Sequence, residues 1–196
     1  MFAARIERVR SVLSSHGATG VIQMIRDRSR PREYVVYCRG LERKPLEGDA
    51  FGARPGTLEE LAAWRRTCDS VAPPFLADRT SGWSDFCWAW HGNRPVGIVW
   101  TTTHSPLLVT APDEAVIVDL YTSPESRGRG IASALIAAAC EQLSWRSFRT
   151  VYATVEVHNM PSRRAFERSS FRPVGQFTVR GWLRRPLRTT VWLRRP

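Results

Sequence analysis

The most constraining feature of this sequence is a strand, a glycine-rich loop and a helix that follow one another directly. Residues 115–122, AVIVDLYT, form an almost continuous apolar run, which is typical of a central strand covered on both faces. The loop SPESRGRG occupies residues 123–130, and a helix rich in small residues is predicted from Ile131 to about Trp145. The two glycines of the loop permit positive φ angles and a close approach of the backbone to a ligand.

The loop and the first turn of that helix are suited to bind an anion. Successive backbone N–H groups of such a loop point into one concavity, and a helix N-terminus adds unpaired N–H groups and the positive end of its dipole. Arg127 and Arg129 can add side-chain charge, so we expect a nest for a phosphate group. A dinucleotide fold would need GxGxxG near its first strand, and a Walker-type lysine is excluded because Lys44 is the only lysine.

Hydrophobic periodicity predicts further strands and helices around this segment. Thr57 and Glu60 form a capping box that begins a helix over residues 58–68. Aromatic residues at positions 86, 88 and 90 alternate with smaller ones in a hairpin, which predicts that the tryptophans belong to the core. The other predictions are helices ending near Gly17 and before Pro31, a helix over 161–168, and strands over 33–39, 96–103, 151–157, 171–179 and 189–193.

Length and composition predict a soluble globular protein. The chain has 196 residues, 43% of them hydrophobic. No apolar run approaches the roughly 20 residues of a membrane span. We expect a helical extension over residues 1–30 and one domain over residues 31–196. The start lacks an apolar leader and the four cysteines stand apart, so we expect a reducing, cytoplasmic location and neither a disulfide framework nor a metal site.

The chain is strongly basic, with a formal net charge of +11 that comes from 28 Arg and one Lys against 18 acidic residues. Arginine favours planar contacts with phosphate or carboxylate, and an arginine-biased genome would produce the same composition. Arginines of the C-terminal segment 180–195 interleave with Trp182 and Trp192, so contact with a nucleic acid, with the phosphate of a smaller ligand or with an acidic acceptor is possible. A solvated face of the last hairpin is favoured, because no base-reading module is present.

Two motifs resemble those of the GCN5-related N-acetyltransferases. The first, [QR]-x-x-G-x-[GA], is met by Arg127, Gly130 and Ala132. The second, N-x-x-[AS]-x-x-x-[YF]-x-x-x-G-F, is similar to residues 159–171, in which serine replaces the motif's glycine. The resemblance covers residues 115–175. It implies an α/β (α+β) acyl-CoA N-acyltransferase fold, with a mixed, mostly antiparallel sheet of about seven strands flanked by helices.

The resemblance also implies a transferase that moves an acetyl or other acyl group from acetyl-CoA, used as a co-substrate, to an amine. In the family, the pyrophosphate of coenzyme A binds the backbone of the first motif. The pantetheine arm pairs with the strand before it, and the thioester end lies near the second motif. The cofactor-binding residues implied here are Leu120, Tyr121, Thr122, Arg127, Gly128, Arg129, Gly130, Ile131, Ala132, Asn159, Ser162 and Phe166.

Three acidic residues are candidates for the general base. Asp119 comes first, because it is the one acid inside an apolar strand and an unpaired charge there is costly. It could equally be a structural partner of an arginine. Glu156, between two valines on a later strand, is the second candidate, since alternation could aim it at the cleft. Glu114 is the third, and His158 is expected to pack or to face solvent.

The general acid departs from the family pattern. Many members have a tyrosine in the second motif that protonates the leaving thiolate, and Phe166 stands at that position here. Tyr121 and Ser162 are possible substitutes. The thiolate could also leave unassisted, because a thiol with a pKa of about 8.5 is a fair leaving group. Ser170, in place of the motif's glycine, is expected to shift the turn that follows.

The acceptor and the partners remain open at the level of sequence. An amine of a small molecule, including an amino sugar, and an amine of a protein both fit the family, and a homodimer is possible. The competing interpretation is a catalytically impaired, acetyltransferase-like binding module for RNA or an acidic partner. Phe166 and the basic C-terminus are the two features that keep this alternative.

Overall fold

The structure is a computed structural model that describes residues 31–42, 51–57, 59–61, 84–105 and 107–179. Several sequence-based predictions lie outside these residues. They are the helical extension over 1–30, the part of the 58–68 helix beyond residue 61, the strand over 189–193 and the arginine-rich C-terminus. None of the helices in the described ranges is long and apolar enough to cross a lipid bilayer.

In the described part of the chain, seven strands form one mixed sheet in the order β2-β3-β4-β5-β6-β1-β7. The pairs β2–β3, β3–β4 and β4–β5 are antiparallel, and β5–β6 is parallel. The predicted sheet is therefore confirmed. The strands are β1 (Arg32–Gly40), β2 (Arg54–Pro55), β3 (Ser84–His91), β4 (Arg94–Thr102), β5 (Glu114–Thr122), β6 (Thr150–Glu156) and β7 (Arg172–Val179), and the helices are α1 (Ile131–Trp145) and α2 (Met160–Arg168).

The position of β1 in the sheet does not follow the order of the chain. This strand comes first in the sequence, yet it lies between β6 and β7, far from β2. Its central residues, 35–38, are buried. The periodicity that predicted the strand carries no information about its neighbours, because pairing partners are chosen by side chains distant in the sequence.

Side chains that alternate along the strands form two apolar clusters on the two faces of the sheet. The helix-side cluster includes Cys87 and Ala89 of β3 together with residues of α1 and α2. The aromatic cluster contains Phe86, Trp88, Ile98, Trp100 and Leu61, with Trp90, Val118 and Tyr121 packed against it. Trp88 is 1% exposed, which confirms that it belongs to the core, whereas Trp90 is half-buried and packs against the edge of the aromatic cluster.

The chain divides into two compact units. The described residues 35–175 belong to the larger unit, which contains the helices and most of the sheet. The described residues 31–34 and 176–179 belong to the smaller unit, where Tyr34 stacks on Phe177 with ring centroids 5.3 Å apart.

The capping box predicted at Thr57 is present. The Glu60 N–H donates to Thr57 Oγ1 at 3.2 Å, and the Thr57 N–H donates to Glu60 Oε2 at 2.9 Å. These two bonds satisfy N–H groups that the helix itself cannot. An ion pair with Arg54 and the bond from Thr57 lower the pKa of the Glu60 carboxyl.

Candidate active site

The parallel strands β5 and β6 part in the middle of the sheet. Within the residues that the structure describes, they pair from Glu114/Thr150 to Ile117/Ala153 and no further. The last part of β5, residues 118–122, runs beyond the end of this parallel ladder and pairs with β4. An extended ligand can add to a sheet where two strands part in this way.

A β-bulge lies in β5 at the start of the opening. Trp100 pairs with Val118 and Ile98 pairs with Tyr121, so β5 carries one more residue than β4 between these pairs. Asp119 has a φ of 49°, in the left-handed region that few residues other than glycine adopt. Aspartate is one of the few side chains enriched there. The bulge thus gives a conformational reason for an aspartate in this apolar strand.

The bulge also decides which side chains face each side of the opening. Leu120 packs on the helix-side cluster, whereas Tyr121 packs on the aromatic cluster. Val155 of β6 and Val157, the first residue after this strand, pack on the helix-side cluster, so alternation directs the Glu156 side chain between them to the opposite face. Tyr121 and Glu156 therefore lie on the same face of the sheet, on opposite sides of the gap.

The glycine-rich loop leads from β5 into α1. Gly128 and Gly130 have φ angles of 79° and 89°, and Gly130 is the N-cap of α1, which has no side-chain cap. A Cβ atom added at Gly128 would meet no atom within 4 Å. Residues 127–130 are exposed, so the uncapped helix N-terminus faces open space. This geometry fits a phosphate nest.

Arg127 forms a hydrogen bond with the end of β5. Its Nε donates to the carbonyl oxygen of Thr122 at 3.2 Å, so the guanidinium group folds back onto the end of β5. The side chain thereby closes the loop and keeps its charge beside the nest. Arg129 and Gly130 are exposed next to it.

A close approach between α1 and β4 sets the position of the helix N-terminus. A Cβ atom at Gly97 would lie 2.8 Å from Leu135 Cδ1 and 3.1 Å from Ile131 Cγ2. Both Ile131 and Leu135 are buried in the helix-side cluster. Glycine at position 97 therefore lets the first turns of α1 lie directly on the strand that pairs with β5.

The second motif forms the turn between β6 and α2 and the helix itself. Asn159 is the N-cap of α2, and its Oδ1 accepts a hydrogen bond from the Ser162 N–H at 3.3 Å. Phe166 is buried, and its ring is 5.1 Å from that of Phe171. The Asn159 and Ser162 pair thus has a structural role at the helix start, whatever it contacts in a complex.

The turn after α2 keeps its geometry despite the serine at position 170. The Ser170 N–H donates to the Glu167 carbonyl and the Phe171 N–H donates to the Phe166 carbonyl, both at 3.1 Å. These bonds form the helix end that normally takes glycine. Ser170 adopts a φ of 63° instead of shifting the turn, which corrects the expectation from the sequence.

The acidic and histidine candidates separate by their surroundings. Glu156 Oε2 lies 3.0 Å from His158 Nε2, and their side chains are 26% and 80% exposed. Glu114 instead accepts hydrogen bonds from the Ala111 N–H at 2.8 Å and from the Tyr152 hydroxyl at 3.1 Å. Glu114 therefore fixes the start of β5, and Glu156 lies beside the opening with a titratable neighbour.

Two residues near α2 had no signal in the sequence. Tyr37 of β1 and Arg163 of α2 are hydrogen-bonded at 3.1 Å although they are 126 positions apart. Burial is the first cause of a raised pKa at the Tyr37 hydroxyl. No spacing rule connects such distant positions, and only the place of β1 in the sheet reveals the contact.

A mixed sheet that opens between two parallel strands, beside a glycine-rich loop and a helix N-terminus, defines an acyl-CoA N-acyltransferase fold. The family model for the GNAT acetyltransferase family matches residues 55–171. The chain belongs to this family. Within the described residues, no group of three or more His, Cys, Asp or Glu side chains could hold a metal ion.

Curated relatives match parts of the chain. A mycothiol acetyltransferase from Acidimicrobium ferrooxidans is 31% identical over 99 residues, which cover 49% of this chain and 31% of that protein. An N-acetyltransferase from Streptomyces griseus is 32% identical over 84 residues, which cover 42% of this chain and 43% of that protein. The chain thus spans less than half the length of either relative.

Solved structures share the fold at low sequence identity. A GNAT-family protein from Novosphingobium aromaticivorans superposes with a TM-score of 0.59 at 20% identity, covering 76% of this chain and 63% of that chain. A GCN5-related N-acetyltransferase from Sphaerobacter thermophilus gives 0.56 at 17% identity, with coverage of 83% and 56%.

Proposed function

We propose that this protein is an N-acetyltransferase that transfers an acetyl group from acetyl-CoA to an amine. The observation that carries the proposal is the opening between β5 and β6 next to the uncapped N-terminus of α1. The names of the matched relatives, which are acetyltransferases, support an acetyl donor.

In this proposal the loop residues 127–132 bind the pyrophosphate of coenzyme A. Their backbone N–H groups and the dipole of α1 attract the anion, and the left-handed glycines let it approach closely. The pantetheine arm lies along residues 120–122, beyond the last residue pair of the β5–β6 ladder. The thioester then reaches the bulge, near the start of α2 with Asn159 and Ser162.

The acceptor amine approaches from the aromatic face of the sheet, because α1 and α2 cover the other face. It attacks the thioester carbonyl directly, and the positioning of the two reactants supplies much of the rate. Glu156 accepts the proton of the amine, and His158 at 3.0 Å offers a path for that proton to solvent. Asp119 is the alternative base.

The thiolate of coenzyme A leaves without help from Phe166, which has no proton to donate. Tyr121 lies on the acceptor face and Ser162 lies at the start of α2, so each remains a candidate donor. Unassisted departure is feasible because a thiol of pKa about 8.5 is a moderate leaving group near neutral pH.

Calorimetry with coenzyme A tests the proposed nest through a pair of variants at position 130. Gly130→Asp and Gly130→Asn impose the same left-handed strain, and only the first brings a negative charge to the helix N-terminus. We expect Gly130→Asp to bind coenzyme A about tenfold more weakly than Gly130→Asn.

Gly92→Asp is the matched control, because Gly92 also has a positive φ, 59°, and lies outside the glycine-rich loop, in a hairpin that contacts the loop through the Arg94–Glu125 ion pair at 3.2 Å. It should bind as the wild type does. Equal affinities for the two position-130 variants would reject the nest. No binding by the wild type at millimolar coenzyme A, together with no thiol release across a panel of amines, would reject the proposed function.

A further inference from the structure

Strand β1 reaches the helix of the second motif through a buried phenol. The Tyr37 hydroxyl donates to Glu167 Oε1 at 2.7 Å and accepts a hydrogen bond from Arg163 Nε at 3.1 Å. The Tyr37 side chain is fully buried and stacks on Phe166, with ring centroids 6.1 Å apart. One residue of β1 therefore joins two charged side chains that lie one turn apart on α2.

Arg163 extends this contact to the turn between β6 and α2. Its Nη1 donates to the Val157 carbonyl at 3.1 Å and contacts Met160 Sδ at 3.6 Å. Because the guanidinium group is a rigid planar fork, the bond from Nε to Tyr37 also fixes the direction of Nη1. Val157 lies directly between Glu156 and His158, so the fork holds the backbone that carries this pair.

A second contact from β1 binds the opposite end of α2. Arg39 Nη1 donates to the Ser169 carbonyl at 3.0 Å, at the C-cap of the helix. This contact stabilises the same strand and the same helix but does not touch the β6–α2 turn. Both side chains come from a strand that lies outside the family match at residues 55–171.

We propose that Tyr37 is a positioning residue for the reaction, which acts through Arg163 to fix the β6–α2 turn beside the opening. Its catalytic consequence rests on the proposed function, since Glu156 and Asn159 flank the turn on its two sides. Without the hydroxyl, Arg163 and Glu167 at spacing i, i+4 can pair with each other. The guanidinium group of Arg163 then rotates away from the Val157 carbonyl, and the β6–α2 turn loses this hydrogen bond.

Tyr37→Phe keeps the ring stack and removes only the hydroxyl. We expect kcat to fall about tenfold, because small displacements of a catalytic group are costly. The dissociation constant of coenzyme A should stay within about twofold, since the proposed pyrophosphate site lies on α1. Arg39→Gln is the matched control. It should lower the melting temperature as Tyr37→Phe does and leave kcat within about twofold.

Hydrogen exchange supplies a readout that does not depend on activity. Tyr37→Phe should speed exchange of the turn amides of Asn159, Met160 and Ser162, whereas Arg39→Gln should speed only those of Ser170 and Phe171. Arg163→Lys interrupts the same link from the surface of α2 and should reproduce the Tyr37→Phe pattern. The double variant Tyr37→Phe/Arg163→Lys should have the same kcat and the same exchange rates at the turn as either single variant, because both substitutions break one link.

Unchanged exchange at the turn in both Tyr37→Phe and Arg163→Lys would overturn the inference, even if the wild type transfers acetyl groups. If Tyr37→Phe and Arg163→Lys speed exchange at the turn but leave kcat unchanged, the structural link exists and the positioning role in the reaction is wrong. If the wild type neither binds coenzyme A nor turns over, the proposed function fails. In that case, hydrogen exchange at the turn still tests whether Tyr37 fixes the turn through Arg163. If Tyr37→Phe does not fold, the Arg163→Lys variant carries the same comparison.

Discussion

Among the described residues, three residues other than glycine adopt a left-handed backbone, namely Asp119, Ser147 and Ser170, and of these Asp119 lies at the proposed site. Asp119 forms the β5 bulge, and Ser170 ends α2. Left-handed φ costs an ordinary L-residue roughly 1–2 kcal/mol. The bulge places Tyr121 on the acceptor face, so the strain at Asp119 has a geometric consequence. The strain at Ser170 only completes a helix end.

Ser170→Gly should therefore stabilise the protein. Relief of the left-handed strain outweighs the larger chain entropy of glycine in the unfolded state, which costs roughly 0.5–1 kcal/mol. We expect a melting temperature about 1–3 °C higher, measured by thermal unfolding.

Ser169→Gly is the control for this prediction. Ser169 has a negative φ, −89°, and its Oγ donates to the Ala165 carbonyl at 2.9 Å, so glycine there can only destabilise. A lower melting temperature for both variants would show that Ser170 is not strained.

At the scale of elements, the site depends on where two strands stop pairing and on which face each side chain takes. Alternation along β6 puts Glu156 on the acceptor face, and the bulge in β5 puts Tyr121 there too. For β6, simple alternation along the sequence predicts the face of each side chain correctly. For β5, it assigns the wrong face to the residues after Val118, because the bulge adds one residue and reverses the faces of the residues that follow it.

Substitution of the two candidate bases separates their roles. Glu156→Gln removes the proton acceptor and keeps the side-chain shape, so kcat should fall at least about 100-fold at neutral pH. Asp119→Asn keeps a side chain that tolerates the left-handed bulge, so kcat should stay within roughly threefold. Steady-state rates with saturating acetyl-CoA check both values.

Coenzyme A affinity is the internal control, because neither acid lies on the glycine-rich loop. It should be unchanged in both variants. The opposite order, with Asp119→Asn nearly inactive and Glu156→Gln active, would make Asp119 the base.

At the scale of the whole molecule, the core buries thiols that unfolding would expose. Burial is the first cause of the raised pKa of the Cys87 thiol, about 12, and of the Cys140 thiol, about 11. Both thiols stay neutral in the folded protein while those of the unfolded chain ionise above pH 9 or so. The unfolded state then binds fewer protons, so stability is present below that pH and is lost as pH rises toward 11.

Urea unfolding between pH 8 and pH 10 measures this loss. We expect each buried thiol to contribute a decrease of roughly 1.5–2 kcal/mol over the interval. Cys87→Ala should lose less free energy of unfolding between pH 8 and pH 10, by the contribution of one thiol. Its free energy of unfolding at pH 8 should itself be lower than that of the wild type. The chain contains one lysine among its basic residues, so few other cations titrate in this range. Parallel pH curves for the two proteins would contradict the prediction.

Much of the fold was available from local patterns. The helix predicted over Ile131 to Trp145 is confirmed with these bounds, and the second helix begins one residue before its predicted start. Strands with strong alternation were also found within one or two residues of their predicted bounds. Local patterns succeed here because helix ends and alternation are set by neighbouring residues.

The sequence by itself determined the elements, the glycine-rich loop and the two family motifs, because each depends on residues close together in the chain. Tertiary structure alone decided that β1 lies between β6 and β7, that Tyr37 binds Arg163, and that a bulge directs Tyr121 toward the acceptor face. These features depend on contacts between distant segments. Their energies come from packing and pairing that no local periodicity encodes.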